Sequence, residues 1–514
     1  MNKKQMNLNL CFTILSFLVS IGLNFYITPL ISGELGDAAY GFVGMANDFV
    51  SYAAIISSVL NSVAARFVAM EMHRGNLERA NRYYSSVFIA NVVLSVFILL
   101  IGGIFVSKSD VIFNIPLRLQ TDVKITFFLT FFNYCIVLIT SIFTVCTYVT
   151  NRLDIAGMRN AISYIIKFLI IIALFSTVHI RMYYIALATI VSSVFLAVMN
   201  MRLTKKLIPV LKVKTKDFNL KYIKILALSG IWMAFSNLSQ VLMTGLDSVI
   251  ANKMLGAGEM GILSVSRTIP NALILAISTV GVIFTPNFVE LYAKGKNKEL
   301  LTACKQSITV MGAILGVPTV GIIVFGSAFY SLWLPHKSAG EIGVIQILSV
   351  LMMMQSIFNM LTISIAQLSV VTNKLKLPVF MSFLLGMLNI IIVIILIKFT
   401  NLGLYAIAGV SSVLFIIRYL LFNPIYAAKI IGAKWYVFYG SILKSLIPLI
   451  CLSVIYIYIN HIIEIDTWKI FIGVVVSAGI VGYFFVFLCI YPQWLRRIMN
   501  KMKGRNDDKL YKEK

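Results

Sequence analysis

Two ionisable side chains, Asp48 and Arg267, stand deep inside apolar stretches of this 514-residue chain. Each lies about ten residues from the end of its stretch, roughly 15 Å at 1.5 Å per residue of helix. An uncompensated charge at that depth costs about 2.5–3.5 kcal/mol even on the lenient insertion scale, so each must meet an opposite charge, another polar group or water. Two chemistries are open to the pair. Arg267 can bind a phosphate or sugar while Asp48 accepts from a sugar hydroxyl or responds to protons; alternatively the two form a buried ion pair that fixes helices in register. Lys167, also inside a stretch, can line the same polar interior or extend its stem toward the surface. Asn24, Asn47, Asn237 and Gln240 can hydrogen-bond sugars or simply bond neighbouring helices. Arg66 completes the candidate set; like Arg418 and Lys444 it lies near the end of a stretch, where basic side chains anchor at an interface.

Other chemistries find no residues to carry them. Cys11, Cys135, Cys146, Cys304, Cys451 and Cys489 are dispersed, with no pair at metal-ligand or redox spacing. The histidines, His73, His179, His336 and His461, are scattered over loops, so no metal site, cofactor or catalytic constellation is expected. A polytopic glycan polymerase or ligase usually carries a large outer loop for its acid–base chemistry, whereas the outer loops here reach only about 19 residues. The chain is therefore read as no enzyme.

The elements that position these residues follow from composition. Hydrophobic residues make up 60% of the chain, charged residues 12%, and the mean hydropathy is +0.92. A soluble domain averages about 45–50% apolar and about 25% charged, so most of this chain must be solvated by lipid. Stretches of about 20 apolar residues, the length that crosses roughly 30 Å of hydrocarbon, recur fourteen times. They lie near 8–29, 38–65, 84–106, 125–147, 159–177, 182–201, 225–250, 260–289, 307–331, 342–370, 378–397, 402–423, 438–459 and 468–490. The weakest separation is at Val178–Arg181, where a single long hairpin dip is the alternative to two spans. The fold class is all-α, a polytopic membrane protein.

Charge orients the spans. The chain carries 44 Lys and Arg against 19 Asp and Glu, and with the N-terminus inside the basic residues collect on the cytoplasmic loops. The net charge of +25 is thus topology, and the basic residues lack the aromatic interleaving of a nucleic-acid surface. The densest loop cluster runs from Arg202 to Lys224. It can anchor on the inner leaflet and hold anionic headgroups, each basic residue contributing about 1 kcal/mol. Asn2-Lys3-Lys4 before an apolar run mimics a signal peptide, but the run reaches about Leu30 without a small-x-small cleavage site, which predicts an uncleaved first span. Pro29, Pro270, Pro286, Pro318, Pro378 and Pro448 lie in or beside spans, where a kink would serve a moving helix.

The chain repeats itself. Leu35-Gly36, Tyr40-Gly41 and Gly75 recur as Leu255-Gly256, Met260-Gly261 and Gly295, at a constant offset of 220 residues. An even number of spans per repeat keeps both in one orientation, predicting two parallel six-helix lobes with a cavity between them and two appended helices. The divisions are an N-lobe at 1–205, a basic linker at 206–224, a C-lobe at 225–425, two further helices at 426–492 and a basic cytoplasmic tail at 493–514. By this register Asp48 corresponds to Thr268 and Arg267 to Asn47, which puts opposite charges at near-equivalent depths.

Asn24-Phe25-Tyr26-Ile27-Thr28-Pro29-Leu30-Ile31 followed by Leu35-Gly36-Asp37-Ala38-Ala39-Tyr40-Gly41 resembles the opening of the polysaccharide transporters, which include the O-antigen and capsule repeat-unit flippases. The Arg66 to Arg82 loop with Gly75-Asn76 and Ala80, Pro286-Asn287-Phe288, and Ala293 to Glu299 are similar to the family's turns in its two lobes. The resemblance implies a superfamily that also holds multidrug extruders and the lipid II flippase. It further implies an undecaprenyl-pyrophosphate-linked glycan as cargo, for O-antigen lipopolysaccharide, capsule or another surface polysaccharide, moved between leaflets of the cytoplasmic membrane by alternating access. Glycosyltransferases and a polymerase of the same pathway would be its protein partners. A multidrug or cation antiporter of the same fold is the alternative.

Overall fold

The computed structural model of the protein describes residues 3–150, 152–177 and 179–490; the expected basic tail at 493–514 lies outside them. Every regular element among the described residues is helical. Among the described residues thirteen helices are long and apolar enough to cross a membrane, and a further helix, α1 (Lys3–Glu34), stands where the sequence predicts the first span. The others are α2 (Asp37–His73), α3 (Leu77–Ser107), α4 (Leu117–Val149), α5 (Leu153–Thr177), α6 (Tyr183–Leu207), α7 (Leu220–Met254) and α8 (Ala257–Ala293). Then follow α9 (Asn297–Trp333), α10 (Ala339–Val371), α11 (Lys376–Phe399), α12 (Leu404–Ile431), α13 (Tyr439–Ile462) and α14 (Trp468–Ile490). The weakly separated fifth and sixth spans are two helices of 25 residues each, with the short stretch His179–Arg181 lying before the second.

The chain forms two compact units. The first is Met1–Val265 with Val379–Ile407, the second Ser266–Pro378 with Ala408–Lys514. In the first, α2 packs on α3, α4 and α7, α1 on α5, and α4 on α6. In the second, α9 packs on α10, α13 and α14, and α10 also on the second part of α8.

The repeated glycines have a conformational cause. Gly75 and Gly295 have φ of +76° and +68°, a region that costs a residue with a Cβ but not glycine. Each ends its helix with the same pair of bonds. Gly75 N–H donates to Met72 O at 3.0 Å and Asn76 N–H to Glu71 O at 2.9 Å; Gly295 N–H donates to Tyr292 O at 3.0 Å and Lys296 N–H to Leu291 O at 3.0 Å. This is the Schellman cap, which satisfies the last carbonyls of a helix. Gly36 and Gly256, at +84° and +110°, make the tighter turns before α2 and α8.

Gly41 and Gly261 serve close approach instead. A Cβ on Gly41 would come within 3.0 Å of the backbone of Gly261, and one on Gly261 would overlap the carbonyl of Asp37. One turn on, a Cβ on Gly44 would meet Ser264 Oγ at 3.2 Å. Residues related by the 220-residue register thus face each other where α2 crosses the start of α8, as in a self-complementary contact.

Five spans are interrupted among the described residues, α4 at a 3₁₀ turn over Ser141–Thr144 and α10 at Gln367 among them. Helix α8 breaks at Arg267 between helical segments Ala257–Ser266 and Thr268–Gly281, then passes through a 3₁₀ turn at Val282–Phe284. Pro270 and Pro286 fall in the first turns of the segments that follow, and Pro378 in the first turn of α11. Pro378 there forfeits no helical bond, whereas Pro270 and Pro286 cannot bond the Ser266 and Val282 carbonyls one turn back, which is where α8 is interrupted. Pro318 and Pro448 lie inside α9 and α13. Helices α7 and α12 carry π-helical turns at Val241–Gly245 and Arg418–Phe422. Neighbouring helices take up the displaced carbonyls: Asn389 Nδ2 donates to Met243 O at 2.9 Å, Tyr52 to Gly245 O, and Tyr439 to Leu420 O at 2.7 Å.

Candidate functional site

Two of the candidate residues meet in one chamber. Asn47 of α2 and Lys167 of α5 line a cavity of about 80 Å³ with Val43, Thr126, Thr130, Asn133, Ile185, Ala186 and Thr189. The four helices bring apolar faces together elsewhere but short polar side chains here, so the chamber is a polar spot inside a lipid-solvated bundle. At about 30 Å³ per water it holds a few waters, well below the roughly 300–1,000 Å³ that a drug-sized ligand occupies. The hydroxyls are already committed as donors: Thr126 to Asp122 O, Thr130 to Thr126 O and Thr189 to Ile185 O, each at 2.7 Å. Asn47 Nδ2 donates one bond, to Val43 O at 3.0 Å. Asn133 Oδ1 is buried without a partner.

Asp48, the neighbour of Asn47, is half-buried and accepts from the buried Ser248 hydroxyl at 2.6 Å. Ser248 lies just past the π-helical turn of α7, so the carboxylate is held against the irregular part of that helix. Asn237 is half-buried one turn before the π-helical segment, where its carbonyl accepts from Val241 N–H. Gln240 is exposed and donates to Thr244 Oγ1 at 3.2 Å. Asn24 is exposed on α1. Arg66 is exposed near the end of α2, its guanidinium 5.5 Å from the Phe67 ring centroid.

Arg267 belongs to the second unit, half-buried at the first break of α8. The residue before it is fixed from α10, because Ser349 Oγ donates to Ser266 O at 2.7 Å and pairs with Tyr330 Oη at 2.7 Å. Arg418 begins the π-helical turn of α12, with its Nε buried and unpartnered.

A second polar cluster was not foreseen from the sequence. Asn61 and Asn91 exchange amide hydrogen bonds of 3.0 and 2.9 Å, Asn91 Nδ2 also donates to Leu138 O at 3.0 Å, and Ser141 Oγ donates to Asn61 Oδ1 at 3.1 Å. It ties α2, α3 and α4 together. The one available signal was an asparagine inside each of two consecutive apolar spans.

The segment after α6 is also built in. Lys212 N–H donates to Asn81 Oδ1 at 2.9 Å, Lys214 N–H to Ser85 Oγ at 3.0 Å and Asn219 N–H to Ser86 Oγ at 3.0 Å. These bonds strap the basic linker across the first turns of α3. The exposed lysines point away from a fixed backbone, interleaved with exposed Val210, Val213, Phe218 and Leu220.

Residues 8–292 match the family model described as polysaccharide biosynthesis protein. Over 503 residues the chain is 27% identical to the uncharacterized membrane protein EpsK of Bacillus subtilis (strain 168), covering 97% of this chain and 98% of that one. The lipid II flippase MurJ in an inward closed conformation superposes with a TM-score of 0.67 at 16% identity, over 95% of this chain and 100% of that one. An inward-facing multidrug resistance MATE family transporter of the MOP superfamily superposes at 0.66 and 14% identity, over 83% of this chain and 99% of that one. At such identities the likeness to the solved structures is one of fold.

Proposed function

Since the chain belongs to the polysaccharide biosynthesis protein family, we propose that it is a flippase for a lipid-linked oligosaccharide. The cargo is an undecaprenyl-pyrophosphate-linked repeat unit of a surface polysaccharide such as O-antigen or capsule, moved across the cytoplasmic membrane by alternating access. The observation that carries this reading is the pairing of that family with the fold of a lipid II flippase over 95% of the chain. A pyrophosphate with a polar glycan cannot cross hydrocarbon unaided, so its carrier must present polar and cationic groups at membrane depth. Arg267 and Lys167 would meet the phosphates or sugars, with Asp48, Asn47, Asn24, Asn237 and Gln240 as hydrogen-bonding partners and Arg66 at the membrane face. The small volume at Lys167 lets it act through charge and not by enclosing a sugar. The basic loops face the cytoplasm in this reading, with both termini on that side, and the strapped linker rests on anionic lipid. Glycosyltransferases and a polymerase of the same pathway would be its partners.

A multidrug or cation antiporter is the second reading, favoured by the MATE superposition. That match leaves 17% of the chain uncovered against 5% for MurJ, which supports the flippase. Translocation of a lipid-pyrophosphate-oligosaccharide in proteoliposomes, run beside efflux of a drug cation, tests the choice. Glycolipid movement is expected; drug efflux without it would overturn the proposal. Arg267→Ala and Asp48→Asn should each lower transport at unchanged expression, and normal transport by both would remove them from the cargo path.

A further inference from the structure

Lys167 has no hydrogen-bond or ion-pair partner among the described residues. The acids of the helices that line its chamber are engaged elsewhere, Asp37 accepting from the Ser32 hydroxyl. Asp48 accepts from Ser248, Asp122 pairs with Arg181 at 3.4 Å, Asp154 with Arg152 at 3.1 Å and Glu71 with Arg74 at 3.3 Å. No carboxylate lines the chamber. An ammonium inside a membrane bundle without a counter-charge is costly, and a polar cavity large enough for more than a water adjoins it.

We propose that this chamber binds a small monovalent inorganic anion of chloride size, held by the Lys167 ammonium. The donor count sets the class. Lys167 supplies three N–H donors, and Asn47 keeps one amide N–H beyond the bond to Val43 O. The three threonine hydroxyls spend their hydrogens on backbone carbonyls, so they offer only lone pairs. A phosphate, with four oxygens and up to two negative charges, would be short of donors here. A halide needs one cation and a few N–H groups, and at about 80 Å³ the chamber also has room for a water. That water would donate to the orphaned Asn133 Oδ1 and to the anion together. Occupancy makes the chamber electroneutral. The anion and a cargo phosphate would meet the same Lys167 ammonium and so bind in turn, while the anion itself requires only the folded first unit.

Thermal unfolding of the full-length protein in detergent, at fixed ionic strength, compares sodium chloride and bromide with sodium gluconate, whose anion is too large for the chamber. Chloride and bromide should raise the wild-type midpoint saturably by roughly 2–4 °C, the shift a large domain shows per kcal/mol of ligand stabilisation. Lys167→Met should abolish the rise and Lys167→Arg should keep most of it. Anomalous scattering from bromide-soaked crystals of the wild type gives a second readout that needs no variant, with a peak expected among Lys167, Asn47 and Asn133. Equal midpoints in chloride and gluconate, a halide shift that survives Lys167→Met, or bromide bound only elsewhere would each overturn the proposal and leave the chamber a hydrated one.

Discussion

The two units differ in what their tightest glycine contacts meet. In the first, glycine lets backbones approach: a Cβ on Gly230 of α7 would overlap the Val59 carbonyl oxygen of α2, and one on Gly261 the Asp37 carbonyl. In the second, the glycines of α9 receive side chains. Cβ atoms on Gly312 and Gly316 would meet Ser445 Cβ at 2.8 Å and Leu449 Cδ2 at 2.5 Å, both on α13. Backbone cannot move aside, whereas the end of a leucine can choose another rotamer. The first unit is therefore registered rigidly at a few crossings and leaves polar space between them. The second is filled by interdigitated side chains, with half of an apolar stretch of α9 buried.

Gly230→Ala is the hardest test of that contrast. Its cost should exceed the about 1–3 kcal/mol of ordinary overpacking, so the variant should fail to give a monodisperse peak in fluorescence-detected size-exclusion chromatography. Gly316→Ala, with only a leucine tip to displace, should fold and lose a few degrees of melting temperature at about 1–2 kcal/mol. Equal losses in the two variants would erase the distinction between backbone and side-chain crossings.

How far the sequence reached depends on whether a feature is local. Gly75 and Gly295 were legible as a repeat, since positive φ leaves its mark on one residue type, though their Schellman bonds were not, and the spans were legible because hydrocarbon thickness sets a length. The meeting of Gly41 with Gly261 was implicit in the same register but needed a contact to expose it. The π-helical turn at Val241–Gly245 left no signal, having no proline; its carbonyls are bonded by Tyr52 and Asn389, far away in the chain. Lys167 and Asn47 were each identifiable as polar residues in spans, yet their common chamber depends on the rotation of four helices that hydropathy does not fix. The prolines were partly legible: the interruptions of α8 at Arg267 and Val282–Phe284 fall in the turns before Pro270 and Pro286, whose missing N–H groups leave the Ser266 and Val282 carbonyls without the α-helical bond from four residues on, whereas Pro378 simply begins α11.

The polar ties sharpen the comparison at smaller scale. Asn91→Leu strands the Asn61 amide and the Leu138 carbonyl in the first unit, while Ser349→Ala strands the Tyr330 hydroxyl and the Ser266 carbonyl in the second. Interhelical bonds in membranes are worth about 0.6 kcal/mol on average and up to about 1.7. Asn91, with more bonds in its network, should cost about 1.5 kcal/mol and Ser349 about 1, measured as shifts in thermal midpoint. A larger loss at Ser349 would mean that the second unit relies on its hydrogen bonds more than on side-chain filling.

The smallest effect carries the opposite sign. Gly321 lies inside α9, and a Cβ there would find only Tyr456 Cε2, at 3.9 Å, an ordinary van der Waals contact. Alanine at such a site restricts the unfolded chain and favours helix, gains of about 0.4–1 kcal/mol. Gly321→Ala should therefore raise the melting temperature by a degree or two. If it lowers the midpoint instead, the cleft between α9 and α13 is tighter than its side chains imply, and the second unit too is registered by backbone approach.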